Sequence, residues 1–446
     1  MPTDTRAPVG YPIACGVVST RERNDLAGWL ILVSVGLLVT WLAVEGGARL
    51  GTASAPFLGR YRFEISPLSL VAPAVAAGIL FAAVRRRFDA APWWIVRAGS
   101  AVGLFTWALS LALVDGLAGL TRSLTPDSYL GDVHEVGDNP VNYLGTFTDR
   151  SEEHTVATRG HPPAPVLLLW ALQRLGITDS FGLALMVTAV GALSAPLVLS
   201  AVRDVSGETF ARHFAPVLML APYAVWLAVS MDAVVLTISA AMTVAGLRAT
   251  RHRGWRAASW AVLAGLLLGL AALFSYAAAW LGLSIICIYF ARRRAALNLF
   301  SGIGVLAPVL LASAVGFVWT DGLSTAYADF ASRIEPDRSA LWWSLISICA
   351  LLLAVGPPLY ASLRKVRNTP GWPFMMGAAS AVLFSIGAGL ARGGIEHAWL
   401  PFFPWLTVAA IAPEEQGGEP VGSPVLLVAV GALTAIVIEA VLLTPW

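Results

Sequence analysis

Apolar runs of about 18 to 22 residues recur along the whole chain, each long enough to cross a bilayer core of roughly 30 Å. In lipid every backbone polar group must be paired within its own segment or a closed barrel, so runs of this kind read as helices. A barrel would need strands that alternate lipid-facing and lumen-facing residues, and the runs show no such alternation. Only 13% of the 446 residues are charged, while 57% are hydrophobic, and mean hydropathy is +0.73. A soluble surface of this size needs more charge. The fold class is therefore an all-α polytopic membrane protein.

The runs place spans near 27–46, 67–84, 95–114, 181–201, 213–229, 232–248, 257–275, 277–291, 299–318, 341–361, 374–391, 399–412 and 423–444, about 13 helices. Residues 1–26 form a polar tail without a signal-peptide pattern, and the first run stays as an anchor. Residues 27–446 then form one transmembrane domain. Orientation follows from Lys and Arg in short loops. Arg85, Arg86, Arg87 and Arg97 share one loop, and Arg203 and Arg212 another. Arg248, Arg251, Arg253 and Arg256 form a third, Arg292, Arg293 and Arg294 a fourth, and Arg364, Lys365 and Arg367 a fifth. With these spans all five fall on one side, read as the cytoplasm of a plasma-membrane protein with its N-terminus inside. Cys15, Cys287 and Cys349 have no metal or disulfide spacing.

The segment 115–163 then faces outward, with 321–339 and 392–397. It carries eight carboxylates and three arginines. Its length and its apolar residues, Tyr129, Leu130, Val133, Val136, Tyr143, Leu144 and Phe147, set it apart from a merely solvated loop and suggest short helices on the membrane surface. It ends in Arg159-Gly160-His161-Pro162-Pro163, followed by an apolar stretch too short to span. That stretch reads as an interfacial helix opened by Pro163 and Pro165, completing an outward unit over 115–176.

Several residues could carry chemistry. Asp115 ends a span at headgroup level, and the phrase Asp115-Gly116-Leu117 recurs as Asp321-Gly322-Leu323, so the two ends could face one cavity. Asp127, Asp132, Glu135 and Asp138 follow in the loop. A helix over 128–137 would put Asp132 and Glu135 on one face, where they could share a proton or take a divalent cation. Arg159 and His161 could contact a phosphate. Asp232 reads first as a helix cap at a tight outer turn. Arg392, Glu396 and His397 could hold an anionic headgroup or serve as interface anchors. No phosphate loop, dinucleotide fingerprint, HExxH or GxSxG is present, nor a basic nucleic-acid patch.

The junction Arg159-Gly160-His161-Pro162-Pro163-Ala164-Pro165-Val166-Leu167-Leu168-Leu169-Trp170, after a long acidic loop, resembles the GT-C class of polyprenyl-phosphate-sugar-dependent membrane glycosyltransferases. Asp127-Ser128-Tyr129 looks like a form of that class's acidic pair, with Ser128 in the second acid's place. Asn142-Tyr143-Leu144 is similar to a segment of actinobacterial arabinosyltransferases. More closely, the chain resembles a group of actinobacterial integral membrane proteins. These share the His-Pro-Pro junction, the stretch Ala221-Pro222-Tyr223-Ala224-Val225-Trp226 to Asp232, and a motif that here reads Glu396-His397-Ala398-Trp399-Leu400-Pro401-Phe402-Phe403-Pro404-Trp405. His397 stands where that motif has arginine. Two spans precede the loop, where the class has one.

The resemblance implies a glycosyltransferase that moves a mannose- or arabinose-type sugar from a polyprenyl-phosphate donor to an envelope glycan, lipid or protein. It implies a base among Asp115, Asp127 and Asp132, and substrate binding by Arg159, His161, Arg392, Glu396 and His397. No metal is assigned, although a divalent cation is compatible with the loop. The alternative is a non-catalytic envelope-lipid transporter, flippase or assembly partner on the same fold.

Overall fold

The computed structural model describes residues 19–416, 418 and 422–444, so Cys15 and most of the expected N-terminal tail lie outside it. Seven helices among the described residues are long and apolar enough to cross a membrane. They are Thr20–Glu45, Pro67–Val84, Trp93–Thr121, Ser180–Ser206, Met231–Arg251, Gly254–Ala272 and Leu297–Ala314. Ala340–Val355 and Pro357–Asn368 make an eighth span if the 103° bend between them is taken as one crossing. Three shorter apolar helices, Tyr276–Ala291, Trp372–Gly387 and Val425–Val441, complete the set. Met231–Arg251 is the central helix, with 67% of its apolar window buried against 17% for Pro67–Val84.

Three of the thirteen expected spans are not continuous helices, and one of them, 341–361, is the pair bent at Gly356. In the run 213–229, helix Glu208–Met219 contains Pro216 and gives way to a 3-10 turn over Pro222–Trp226. In the run 399–412, Pro401 and Pro404 remove two backbone donors, and the chain forms only a 3-10 turn over Leu400–Phe402 and one helical turn, Phe403–Leu406. Irregular backbone is tolerated at membrane depth where protein surrounds it, and residues 399–412 are all buried. Ser362 Oγ accepts from Ala409 N at 3.2 Å, and Lys365 Nζ donates to Ala410 O at 3.1 Å. Buried indoles meet other carbonyls at helix breaks: Trp107 donates to Ala221 O and Trp29 to Leu352 O.

The 103° bend centres on Gly356, at φ +81° and directly before Pro357 and Pro358. A Cβ there would lie 2.8 Å from the rigid ring of Pro222. Gly356→Ala should cost about 1–3 kcal/mol, from the left-handed backbone and the clash together. An unchanged thermal midpoint of the purified variant would contradict this packing.

Four of the five arginine loops meet on one face. Arg251 and Arg292 reach Asp204 at 2.9 and 3.9 Å, Arg294 donates to His252 O, and Arg212 donates to Ala91 O. The fifth loop carries Arg364, which holds Asp25 at 2.8 Å and also pairs with Glu414. The acidic loop lies at the opposite ends of the helices. There, Arg60–Tyr61 pairs antiparallel with Leu442–Leu443, tying the segment after the first helix to the last one. The apolar runs do not reveal this small ladder.

The acidic loop is folded into a compact cap and does not lie open along a surface. Its helices are short: Val133–Val136, Pro140–Thr146 and Val156–Arg159. Val133, Val136, Tyr143 and Phe147 are buried in a core with Val166, Leu169, Met231 and Phe317. The apolar loop residues thus find protein partners, which removes the reason for them to rest in lipid. The expected helix after the junction forms over Ala164–Arg174 with Pro165 in its first turn. Its 11 residues rise only about 16 Å, too little to cross.

Candidate functional site

Four segments distant in sequence converge on the loop face. Asp232 opens the central helix, but Ser230 caps it, accepting from the Asp232 amide at 3.2 Å. The Asp232 carboxylate is therefore available to the tertiary structure, and it meets His397 Nδ1 at 3.2 Å. Asp232 is 5% exposed. His397 comes from the turn Ile395–Ala398 and keeps 21% of its side chain open. His161, from the junction, lies within electrostatic reach of both. The ring of Tyr129 packs edge-on to His161 at 5.6 Å.

The two imidazoles are driven in opposite directions. Burial holds His161 below the usual histidine range, His397 adds to this, and the Asp232 charge only partly opposes it. His161 Nδ1 lies 2.9 Å from Ala157 O, so Nδ1 carries the proton and donates. His397 also pays for burial, but the hydrogen bond and charge of Asp232, with Glu396 adding, outweigh it and raise its pKa. One imidazole is thus kept neutral beside another that favours its cation, an arrangement suited to proton transfer.

A second polar centre lies at the end of Trp93–Thr121. The Asp115 side chain is 3% exposed and pairs with both Arg62 and Arg122. Glu439, from the last helix, comes up beside this triad. A cavity of about 440 Å³ opens over it, lined in part by Glu64, Ser66 and Gly116. The two centres are neighbours along the chain. Leu58 N donates to the fully buried Glu396 at 3.4 Å, and Arg62 follows four residues later. Four residues reach at most about 14 Å.

The other expected residues fall elsewhere. Asp127 is exposed, two residues before Tyr129. Asp132 is buried and accepts from Thr155 N at 3.1 Å and Thr155 Oγ1 at 2.9 Å. The helix expected over 128–137 is confined to Val133–Val136. Arg159 Nη1 lies 3.9 Å from Asp329. Arg392 donates to the carbonyls of Gly389, Glu335 and Arg338 and to the Glu335 carboxylate, so it binds outer segments together. A headgroup would have to displace those bonds. Asp321 is exposed on helix Trp319–Arg333 and is not among the residues lining the cavity over Asp115, so the two Asp-Gly-Leu ends do not meet in that cavity.

Arg62, Glu439 and the pairing of Asp232 with His397 escape a reading of the sequence. Glu439 had a signal, since a lone carboxylate in an apolar helix marks a buried polar contact. Arg62 had none: its partner lies 53 residues away.

The fold and these centres define a multi-pass helical membrane protein with two buried polar centres toward the face of the acidic loop and with Asp25 and Lys365 buried separately at the arginine face. No family model matches the chain, and no curated protein matches it. Two solved structures match in part, both of ArnT from Cupriavidus metallidurans. The apo structure is 18% identical over 62% of this chain and 54% of that one, with a TM-score of 0.39. The structure bound to undecaprenyl phosphate is 18% identical over 62% and 55%, with a TM-score of 0.41. The chain spans about half the length of these structures, and nothing about the site is transferred from them.

Proposed function

We propose that the protein is a membrane glycosyltransferase that takes a sugar from a polyprenyl-phosphate donor on the outer side of the plasma membrane and passes it to an envelope glycan, lipid or protein. The reading rests on one observation: Asp232, His397, His161 and Tyr129 converge from four segments at the acidic-loop ends of the helices. Glycosyl transfer from a lipid phosphate needs a base for the acceptor hydroxyl and positive charge for the departing phosphate. The Asp232–His397 pair handles the proton, with Asp232 orienting the imidazole. Asp127, exposed beside Tyr129, is a second carboxylate within reach of an incoming acceptor. Arg159 and the Arg62–Arg122 pair supply positive charge near the phosphate. Asp115 holds those two arginines, while Arg392 and Glu396 position the segments around His397. The arginine face is the cytoplasmic one. The sugar is of mannose or arabinose type, on the resemblance of the loop and junction.

The test is consumption of a labelled polyprenyl-phosphate sugar by the protein in vesicles supplied with an envelope extract. Labelled acceptor should accumulate with time, and Asp127→Ala should slow it without changing the amount of folded protein. Movement of intact donor between leaflets, with no sugar released, would sink the transferase reading in favour of a carrier.

A further inference from the structure

Asp132, Glu135 and His154 meet in the acidic cap with more acceptor atoms than donors between them. One ligand atom of each lies within 4.8 Å of the others, and no other such group occurs among the described residues. Asp132 directly precedes the turn Val133–Val136, Glu135 lies within it, and His154 arrives from the far side of the cap. The His154 side chain is 1% exposed and that of Glu135 is 10% exposed.

The tautomer of His154 is legible. Its Nε2 lies 3.2 Å from the carbonyl oxygen of Phe147. A carbonyl only accepts, so Nε2 carries a proton, and in neutral imidazole Nδ1 then presents a lone pair. That lone pair faces Glu135 Oε2 at 3.4 Å, and both atoms are buried without a hydrogen bond. Two acceptors facing each other away from water repel unless a cation lies between them. The Arg150 guanidinium stands 3.6 Å from the same Oε2, but Arg150 is drawn outward by Glu153 at 2.6 Å.

The surroundings hold these groups as metal ligands are held. The His154 ring stacks on Phe147 at 4.7 Å and meets Tyr143 at 6.1 Å. Asp132 is oriented by the backbone and hydroxyl of Thr155. A ring nitrogen bonded to a backbone carbonyl and an oriented carboxylate are recurring outer-shell features of metal sites. The Tyr143 hydroxyl, also buried and without a hydrogen bond, lies within electrostatic reach of both carboxylates.

We propose that Asp132, Glu135 and His154 bind one divalent cation of the zinc class. Imidazole with carboxylate favours zinc over magnesium or calcium, and three protein ligands leave a position for water. The ion joins the start of the cap to its end. Val133 and Val136 pack beside the junction helix, and Tyr129, three residues before Asp132, meets His161. The cation therefore holds the cap over the Asp232–His397 centre without entering it. This inference does not depend on the transferase reading.

The experiment uses full-length, tag-free protein stripped with a chelator and titrated separately with Zn²⁺, Mg²⁺ and Co²⁺. One Zn²⁺ per chain should bind, Mg²⁺ should not displace it, and Co²⁺ should give the visible absorption of a low-symmetry site. Zinc should also raise the thermal midpoint. His154→Gln and, independently, Glu135→Gln should weaken zinc binding about tenfold or more. Glu152→Gln, at an exposed loop carboxylate, should leave it unchanged. Absence of stoichiometric zinc in the wild-type protein overturns the proposal and leaves a protonated His154 as the cation. So does equal zinc affinity in wild type and both site variants.

Discussion

His397→Gln lowers the rate of sugar transfer by about 10²- to 10⁴-fold at neutral pH, the range for loss of a positioned proton-transfer group. The protein should remain folded, because Gln fills a similar volume in a side chain that is 21% open. The pH dependence separates this role from a structural one. A base must be neutral to accept a proton, so the wild-type rate should rise with pH through an apparent pKa above the usual histidine range, the direction set by Asp232. Asp232→Asn removes that carboxylate, and burial then dominates. The acid limb should move to lower pH while the maximal rate also falls. The same raised pKa has a stability counterpart. The ion pair contributes fully below the unfolded histidine pKa, and its contribution is lost as pH rises through the higher folded value. A variant with wild-type rate and limb would remove His397 from the chemistry.

Asp115→Ala should destabilise the protein by about 3 kcal/mol, the lower end of the cost of breaking a buried ion pair. The lower end applies because Arg62 and Arg122 are 21% and 26% exposed and retain some water. With Asp115 gone, two guanidiniums at the end of the helix lose the carboxylate that pairs with both. Arg62→Leu added to Asp115→Ala should recover part of the loss, since one unpaired charge leaves with it. Thermal unfolding of the purified single and double variants measures both quantities. Additive losses would mean that the triad is not energetically coupled. A loss in activity with no loss in stability would instead place Asp115 in the chemistry.

The two extremes of legibility both occur in this chain. Thr20–Glu45, Met231–Arg251 and Leu297–Ala314 could be read from their apolar runs because lipid imposes one solution on an isolated hydrophobic segment. The run 399–412 is as apolar yet is not a helix. Hydropathy reports where a residue is buried, and there protein surrounds the backbone, so Pro401 and Pro404 are tolerated. The cap shows the same ambiguity: Tyr143 and Phe147 look like surface anchors until Phe317 and Leu169 are brought against them.

The candidate site divides likewise. The junction at His161 and the motif at Glu396–His397 stand out in sequence because Pro-Pro and clustered charge are rare beside apolar runs. Asp232 resembles a helix cap, and only the presence of Ser230 in that role frees its carboxylate for His397. Arg62 becomes meaningful only when the loop after the first helix reaches Asp115.

By itself, then, the amino-acid sequence determined that the chain is helical, that it belongs in a membrane, and that its charge is sorted between two faces. These follow from the cost of unpaired backbone and charge in hydrocarbon, which acts on each segment separately. Which carboxylate meets which cation was decided only by the tertiary structure. Asp232 and His397 lie 165 positions apart, and their contact depends on the packing of helices between them. The acidic loop, whose charge first drew attention, is a folded cap whose carboxylates are largely engaged within it, and the polar centres lie where its ends meet the helices.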